Sequence, residues 1–288
     1  ATQSHFSIAR ASSLSGGYTN QTWHIAGDDG REFLVKLNTS DKAAMFEAEC
    51  NGLAALAATH IVRVPAVIAH GVADAHAFLV LEYLDLHSHG DSRLLGTQLA
   101  ALHRVHGQQF GWECDNTLGL TPQRNTWASD WVTFWREQRL GFQLELAARN
   151  GYGGALQELG LQLMQRLPDL LAGHHPAPSL LHGDLWGGNY GFLENGTPVL
   201  FDPATYYGDR EADIAMTELF GGFDQGFYAA YQAAYPMDAG YARRKTLYNL
   251  HHILNHCNMV SGSYVQQAEG MMRRLLAELD DYFPTFIK

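Results

Sequence analysis

Positive charge is scarce in this chain. Nineteen lysines and arginines stand against 30 aspartates and glutamates, for a formal net charge of -11. A nucleic-acid surface needs a basic stripe, and an anionic membrane attracts one, so neither partner is expected. Neutral or cationic substrates stay open. Cysteine is scarce as well. Cys50, Cys114 and Cys257 have no CxxC or paired spacing, which excludes a disulfide framework and fits a reducing compartment. No apolar run approaches the length of a membrane-spanning helix. Residues 1–17 lack a charged segment followed by an apolar core, so they do not read as a signal peptide. There is no internal repeat and no low-complexity segment. These absences make a cytoplasmic protein the default expectation.

What is present is a phosphoryl-transfer pattern. Residues 182–189 read His-Gly-Asp-Leu-Trp-Gly-Gly-Asn, and Asp202 follows the apolar run Val199-Leu200-Phe201. Transfer from ATP needs one carboxylate to accept the proton of the attacking hydroxyl. It also needs an amide oxygen and a second carboxylate to hold magnesium on the phosphates. The kinase catalytic loop is written H-R-D-x-x-x-x-N, with a metal-binding Asp beyond it. Gly183 replaces the Arg here and the spacing is kept. Asp184 is therefore the expected base, Asn189 and Asp202 are the expected Mg2+ ligands, and His182 orients the loop. A helix-capping turn aspartate is the bland alternative for Asp184, and the spacing to Asn189 and Asp202 argues against it.

The 288 residues, 46% hydrophobic and 17% charged, suffice for one large domain or two lobes with a real core. Residues 6–40 read as turns and short strands, with strands at 22–25 and 33–37 and a turn composition at 27–30. A helix is predicted over 41–58 with Asp41 as N-cap. Residues 67–71 and 77–81 read as a strand pair. Beyond residue 90, helical spacing covers 92–106, 126–150, 154–172 and 242–280, and only 191–202 reads as strand. The expected fold class is α+β, a protein-kinase-like two-lobe fold. Residues 1–82 form a small β-rich N-lobe, 83–88 a hinge, and 89–288 a large, mainly helical C-lobe.

Lys36 lies near the end of its strand, in Phe-Leu-Val-Lys, similar to the V-A-I-K strand whose lysine meets ATP phosphates. A strand lysine alone is usually just exposed. Its position between a glycine-containing turn and a glutamate-containing helix argues for the nucleotide role. Glu47 and Glu49 both offer a partner. Glu49 precedes Leu53 and Leu56 at i+4 and i+7, which favours it. Gly16 and Gly17, in Ser15-Gly16-Gly17, would let backbone approach the phosphates. Trp127, Trp131 and Trp135 recur at i, i+4, i+8 and read as a core-facing stripe. His252 and His256 lack the third ligand and nearby acid of a zinc site. His174 and His175, before Pro176, read as loop.

The runs LLHGDLWGGN (180–189) and FDPATYYGDREADIAM (201–216) closely resemble the fructosamine kinase family, the ketosamine-3-kinases. The resemblance extends through FLVKL and MFEAE, LVLEYLDL (79–86), LGTQLAALH (95–103), PQRNTW with DWVTFW, AYQAAYP (230–236) and LYNLHHILNH (247–256). It implies a protein-kinase-like fold and ATP-dependent phosphorylation of the 3-hydroxyl of a ketosamine. The 3-phosphate destabilises the adduct, so a free small-molecule amine or a protein lysine is regenerated. By the same resemblance Lys36 with Glu49 positions phosphates and the backbone of Glu82 and Leu84 takes adenine. Trp186 packs on the sugar, unless it is a plain core tryptophan, and Tyr207 lies in the substrate region. Some family members carry a cysteine in the nucleotide loop; the aligned position here is Tyr18, which argues against redox control by that route. A ketosamine nitrogen is largely cationic near neutrality, so Asp209 is expected to face the substrate, or else to pair with Arg210. The alternatives are a small-alcohol kinase of the same fold, acting on an aminoglycoside or choline, and an inactive kinase-shaped ATP-binding protein.

Overall fold

The computed structural model describes residues 5–14, 19–260 and 263–282. Gly16, Gly17 and Tyr18 lie outside the described residues. The first strands are β1 (Ile8–Leu14), β2 (Gln21–Gly27) and β3 (Glu32–Thr39). A 3-10 turn, Ser40–Lys42, leads into α1 (Ala43–Ala58), followed by β4 (Val67–Ala73) and β5 (His76–Glu82). These five strands form one antiparallel sheet in the order β1-β2-β3-β5-β4. The helix starts later than 41 because Asp41 takes no cap position. It sits within the 3-10 turn, and the residue before the helix, Lys42, makes no side-chain cap bond. Met45, Phe46, Leu53 and Leu56 make the buried stripe of α1, which packs on β4 and β5.

Next come α2 (Ser92–Leu102) and the strand pair β6 (Asn116–Leu118) and β7 (Thr121–Gln123). The following helical run starts after Asp130, whose carboxylate accepts the Thr133 N–H at 2.8 Å as an N-cap. It comprises α3 (Trp131–Phe134), a π-helical stretch (Trp135–Gly141) and α4 (Phe142–Arg149). Then come α5 (Ala155–Leu170), β8 (Ser179–Leu181), β9 (Tyr190–Phe192), β10 (Pro198–Leu200) and β11 (Tyr206–Gly208). The chain continues with α6 (Glu211–Leu219), α7 (Gln225–Ala234), α8 (Tyr241–Met259) and α9 (Ser263–Tyr282). The 191–202 expectation holds as the β9–β10 hairpin, with its turn at 193–197. The fold is therefore α+β, with a small antiparallel sheet lobe and a helical lobe of the protein-kinase-like kind.

Two compact units divide the chain. One takes residues 1–102, 187–205 and 223–235; the other takes 103–186, 206–222 and 236–288. The first holds the five-stranded sheet, α1, the β9–β10 hairpin and the α2–α7 pair. At Gly96, a Cβ would stand 2.3 Å from the Phe227 carbonyl oxygen, so α2 approaches the α7 backbone at a distance only glycine permits. The second unit has a core of Trp131, Phe134, Trp135, Leu144, Leu163, Leu181, Tyr206, Tyr248, Ile253 and Leu275. Trp127 departs from the expected stripe. It precedes the Asp130 cap, lies outside the helix and is 42% exposed, whereas Trp131 and Trp135 are buried.

Candidate active site

Lys36 lies on β3, a central strand, opposite Thr22 on β2 and Leu79 on β5. It is buried, and its Nζ donates to Glu49 Oε1 at 2.6 Å and to Asp202 Oδ1. Burial by itself would push the Lys36 ammonium's pKa down. The carboxylates of Asp202 and Glu49 outweigh that and hold it above its ordinary value, so the lysine stays charged. Glu49 is raised by burial, and less so by Asp202, against the pull of Lys36. Of the two glutamates weighed from the sequence, Glu49 is the one at Lys36; Glu47 is exposed.

Asp202 sits immediately after the β9–β10 hairpin with φ 55°, in the left-handed region that few non-glycine residues enter. Asn189 is buried at the other root of the hairpin. Its backbone carbonyl accepts the Phe201 N–H at 3.0 Å, and its side-chain amide nitrogen reaches the Asp202 carbonyl at 3.5 Å. One amide oxygen and one carboxylate form a donor set that suits Mg2+, which keeps water and substrate oxygens for its remaining positions. Asp202 is 46% exposed, so its second oxygen is open to such an ion. The residues present fit the metal.

In the second unit, the loop expected to be catalytic leaves β8 at His182. Asp213, on the first turn of α6, holds it. Its Oδ2 accepts the His182 N–H at 2.7 Å and its Oδ1 accepts the Gly183 N–H at 2.9 Å. His103 Nε2 lies 3.2 Å from the same carboxylate. Burial would raise the Asp213 pKa, but these partners, His103 foremost, hold it below the usual carboxylate range. Gly183 has φ 85°, a conformation that an arginine would adopt only under strain. His182 is fully buried, and its Nδ1 accepts the Asp184 N–H at 3.3 Å. Asp184 itself is half-buried, while Leu185 beside it is anchored in the interior. Trp186, expected on the sugar, is 37% exposed. A plain core tryptophan would be buried.

Asp209 stands differently from expectation. It is 1% exposed, and His174 Nε2 reaches its Oδ2 at 2.6 Å. The Tyr248 hydroxyl donates to the same oxygen, and the Glu211 N–H donates to Oδ1 at 3.0 Å. Burial would raise its pKa, and those hydrogen bonds outweigh burial and lower it. A carboxylate so enclosed has no face for a substrate amine; it ties β11 and α6 to α8. Arg210 turns to the Pro236 carbonyl at 2.6 Å. Tyr207, on β11, is half-buried against Trp112 and Trp127, with ring centroids 5.4 and 6.3 Å away. Sequence reasoning missed Asp213, His103, His174 and Tyr248 as parts of this framework. Asp213 alone had a signal, its place one turn into the helix after GDRE.

Glu82 ends β5. Its carboxylate is taken by Arg63 at 2.5 Å and the Ala66 N–H at 3.0 Å, and its own N–H donates to the Ala66 carbonyl at 2.9 Å. Any adenine contact at Glu82 therefore falls to its backbone carbonyl. Leu84 lies in segment 83–86, which follows β5 without regular secondary structure. Among the described residues, His174, Glu211 and Asp238 come close enough together to hold an ion. Arg244, at 2.7 Å from both oxygens of Glu211, already meets that charge. His252 is buried with its pKa pushed down to about 3 by burial first and His256 second, so it is a neutral core residue.

Fold and residue set together define a kinase of the protein-kinase-like class. The family model for fructosamine kinase matches residues 1–278, and the chain belongs to that family. It is 47% identical over 274 residues to a probable ketoamine kinase of Synechocystis, covering 94% of this chain and 92% of that protein. It is 41% identical over 280 residues to a chloroplastic protein-ribulosamine 3-kinase of Arabidopsis thaliana, covering 96% and 83%. A crystal structure of an assigned fructosamine-3-kinase from Haemophilus somnus 129PT is 33% identical, with a TM-score of 0.87 over 95% of this chain and 93% of that one. Among the described residues, no helix is long and apolar enough to cross a membrane.

Proposed function

We propose that the chain phosphorylates the 3-hydroxyl of ketosamines, the ribulosamine- or fructosamine-type adducts of amines, at the expense of ATP. The observation that carries the chemistry is the catalytic loop pinned at two successive N–H groups by Asp213, which fixes the backbone on which Asp184 stands. The relatives' printed activities, a ketoamine kinase and a protein-ribulosamine 3-kinase, support the acceptor class.

In this reading Asp184 accepts the proton of the sugar 3-hydroxyl as its oxygen bonds to the γ-phosphorus. The bond from that phosphorus to the bridging oxygen breaks, and ADP leaves with the electron pair. Lys36, held by Glu49, neutralises α- and β-phosphate charge. Asn189 and Asp202 would hold Mg2+, which supplies charge neutralisation at the transferring phosphate. The backbone at Glu82 and Leu84 takes adenine, Gly16 and Gly17 are the phosphate-loop glycines that the family resemblance implies, and Trp186 packs on the sugar. The product's 3-phosphate destabilises the adduct, so the amine is regenerated, whether a free amine or a protein lysine. The scarcity of cysteine and the use of ATP support a cytoplasmic setting for the reaction.

The test is an ADP-release screen with ribulosamine, fructosamine, choline and kanamycin as acceptors, with phosphorus NMR to locate the phosphate. A 3-phosphorylated ketosamine is the expected product. Turnover of choline or kanamycin alone would reassign the acceptor to the small-alcohol kinases. Binding of Mg-ATP with no turnover of any acceptor would make the chain an inactive binder.

A further inference from the structure

The exposed Trp127 is held too firmly to be incidental. Its loop is tied down from beneath by Arg139, a fully buried guanidinium on the π-helical stretch. Arg139 donates to the Arg124 carbonyl at 2.5 Å and to Asn125 Oδ1 at 2.8 Å, and lies over the Phe134 and Tyr206 rings at 4.6 and 4.1 Å. Asn125 in turn donates its N–H to Asp115 Oδ1 at 2.8 Å and accepts the Trp112 N–H at 2.9 Å. Ala128 and Phe110 exchange both backbone bonds, at 2.8 and 3.0 Å. A loop fixed at both flanks of one residue, with that residue's indole 42% exposed, presents the indole rather than hiding it. Lone exposed tryptophans need no explanation; a cluster of three rings on a rigid base does.

The cluster is coupled to the catalytic loop through β11. Tyr207 exchanges backbone bonds with Gly111 at 2.8 and 3.0 Å and pairs across the ladder with Leu180 on β8. Leu180 lies four residues before Asp184. One strand spacing of about 5 Å and at most about 13 Å of extended chain separate Tyr207 from the base. That is within the span of a pentose or hexose joined to an alkyl chain. The charge is also of the right sign. Exposed Glu113 neighbours Trp112 in the chain, and its carboxylate acts on Tyr207, whose pKa is raised first by burial and then by that charge. Aromatic faces and a carboxylate together attract an organic cation and cover its methylenes.

We infer that Trp112, Trp127 and Tyr207, with Glu113 at their edge, form the subsite for the amine side of the acceptor: the alkylammonium and side chain that carry the sugar. This rests on the ketosamine reading above. The subsite recognises the carrier, whereas Trp186 and Asp184 act at the sugar, so carrier length and charge set affinity without altering the chemical step.

The experiment compares wild type, Trp127→Ala, Trp127→Phe and Glu113→Gln on two acceptors, the ribulosamine of Nα-acetyl-lysine and that of methylamine. Trp127→Ala is expected to raise the KM for the lysine adduct about 5- to 30-fold, as the loss of the indole that covers its methylenes does. The KM for the methylamine adduct should change less than threefold, and that for ATP should not change. Trp127→Phe should restore most of the loss, and Glu113→Gln should raise the KM of both adducts, which share the ammonium. Equal KM changes for both acceptors in Trp127→Ala, or none for either, would overturn the subsite. Absence of ketosamine turnover by the wild-type protein would overturn the functional reading instead. Melting temperatures within a few degrees of wild type exclude misfolding as the cause, and direct calorimetric binding of the lysine adduct gives the same comparison without turnover.

Discussion

Asp209 and Asp213 sit four residues apart and look alike in sequence, yet they do different work. Asp213 accepts the two N–H groups that open the catalytic loop, while Asp209 closes a buried network with His174 and Tyr248. Their alanine variants should part company. Each should lose about 3–5 kcal/mol, because each leaves buried donors without an acceptor. Asp213→Ala should also lower kcat by at least tenfold, since the base then rides on a loosened backbone. Asp209→Ala should melt lower while keeping its ketosamine KM. Chemical denaturation and steady-state kinetics on both proteins check this. Both carboxyls have folded pKa values depressed below 3.8. Their contribution is therefore fully present above pH about 4 and is lost as pH falls through the depressed values. The acid unfolding limb should flatten in either variant. The near-neighbour spacing says nothing of this division, because the partners lie 30 residues upstream for one carboxylate and 35 upstream and 39 downstream for the other.

Elements were legible where they carried a periodic stripe or recognisable turn chemistry, whatever their length. β3, α1 and the β9–β10 hairpin carry enough alternation, apolar stripe or turn chemistry to be read directly, and with them Lys36, Glu49, Asn189 and Asp202. β8 and β11, three residues each, carry no alternation at all, although they bring Tyr207 level with Leu180. The tryptophan spacing misled for a related reason. A helical period was present at 127, 131 and 135, but Asp130 caps the helix after its first member. The α2–α7 contact was equally silent, since a glycine inside a helix reads as a weakness until its neighbour is known. Gly96→Ala would drive a methyl to 2.3 Å from the Phe227 carbonyl, so the two helices must separate. A loss of about 1–3 kcal/mol is expected despite the better helix propensity of alanine, measurable by urea denaturation.

At the scale of the whole molecule, the excess of acidic groups gives a net charge of -11. A lysine-rich glycated peptide should therefore associate faster than a neutral one, and kcat/KM for it should fall several-fold between low salt and about 0.5 M salt. The same series on a neutral peptide adduct should stay flat, and equal slopes for the two would remove long-range attraction from the account. Within that acidic surround, the Lys36 ammonium is shared by two carboxylates, a local sum of one negative charge. Such a trio works as an ion exchanger. A divalent cation held at Asp202 would compete with the lysine for one of its two counter-ions, and the ammonium would then favour an anion such as a phosphate. Metal and nucleotide would then be linked through one side chain, and each should tighten the other's binding by the same factor. Lys36→Met, by removing the exchanged ion, should uncouple them.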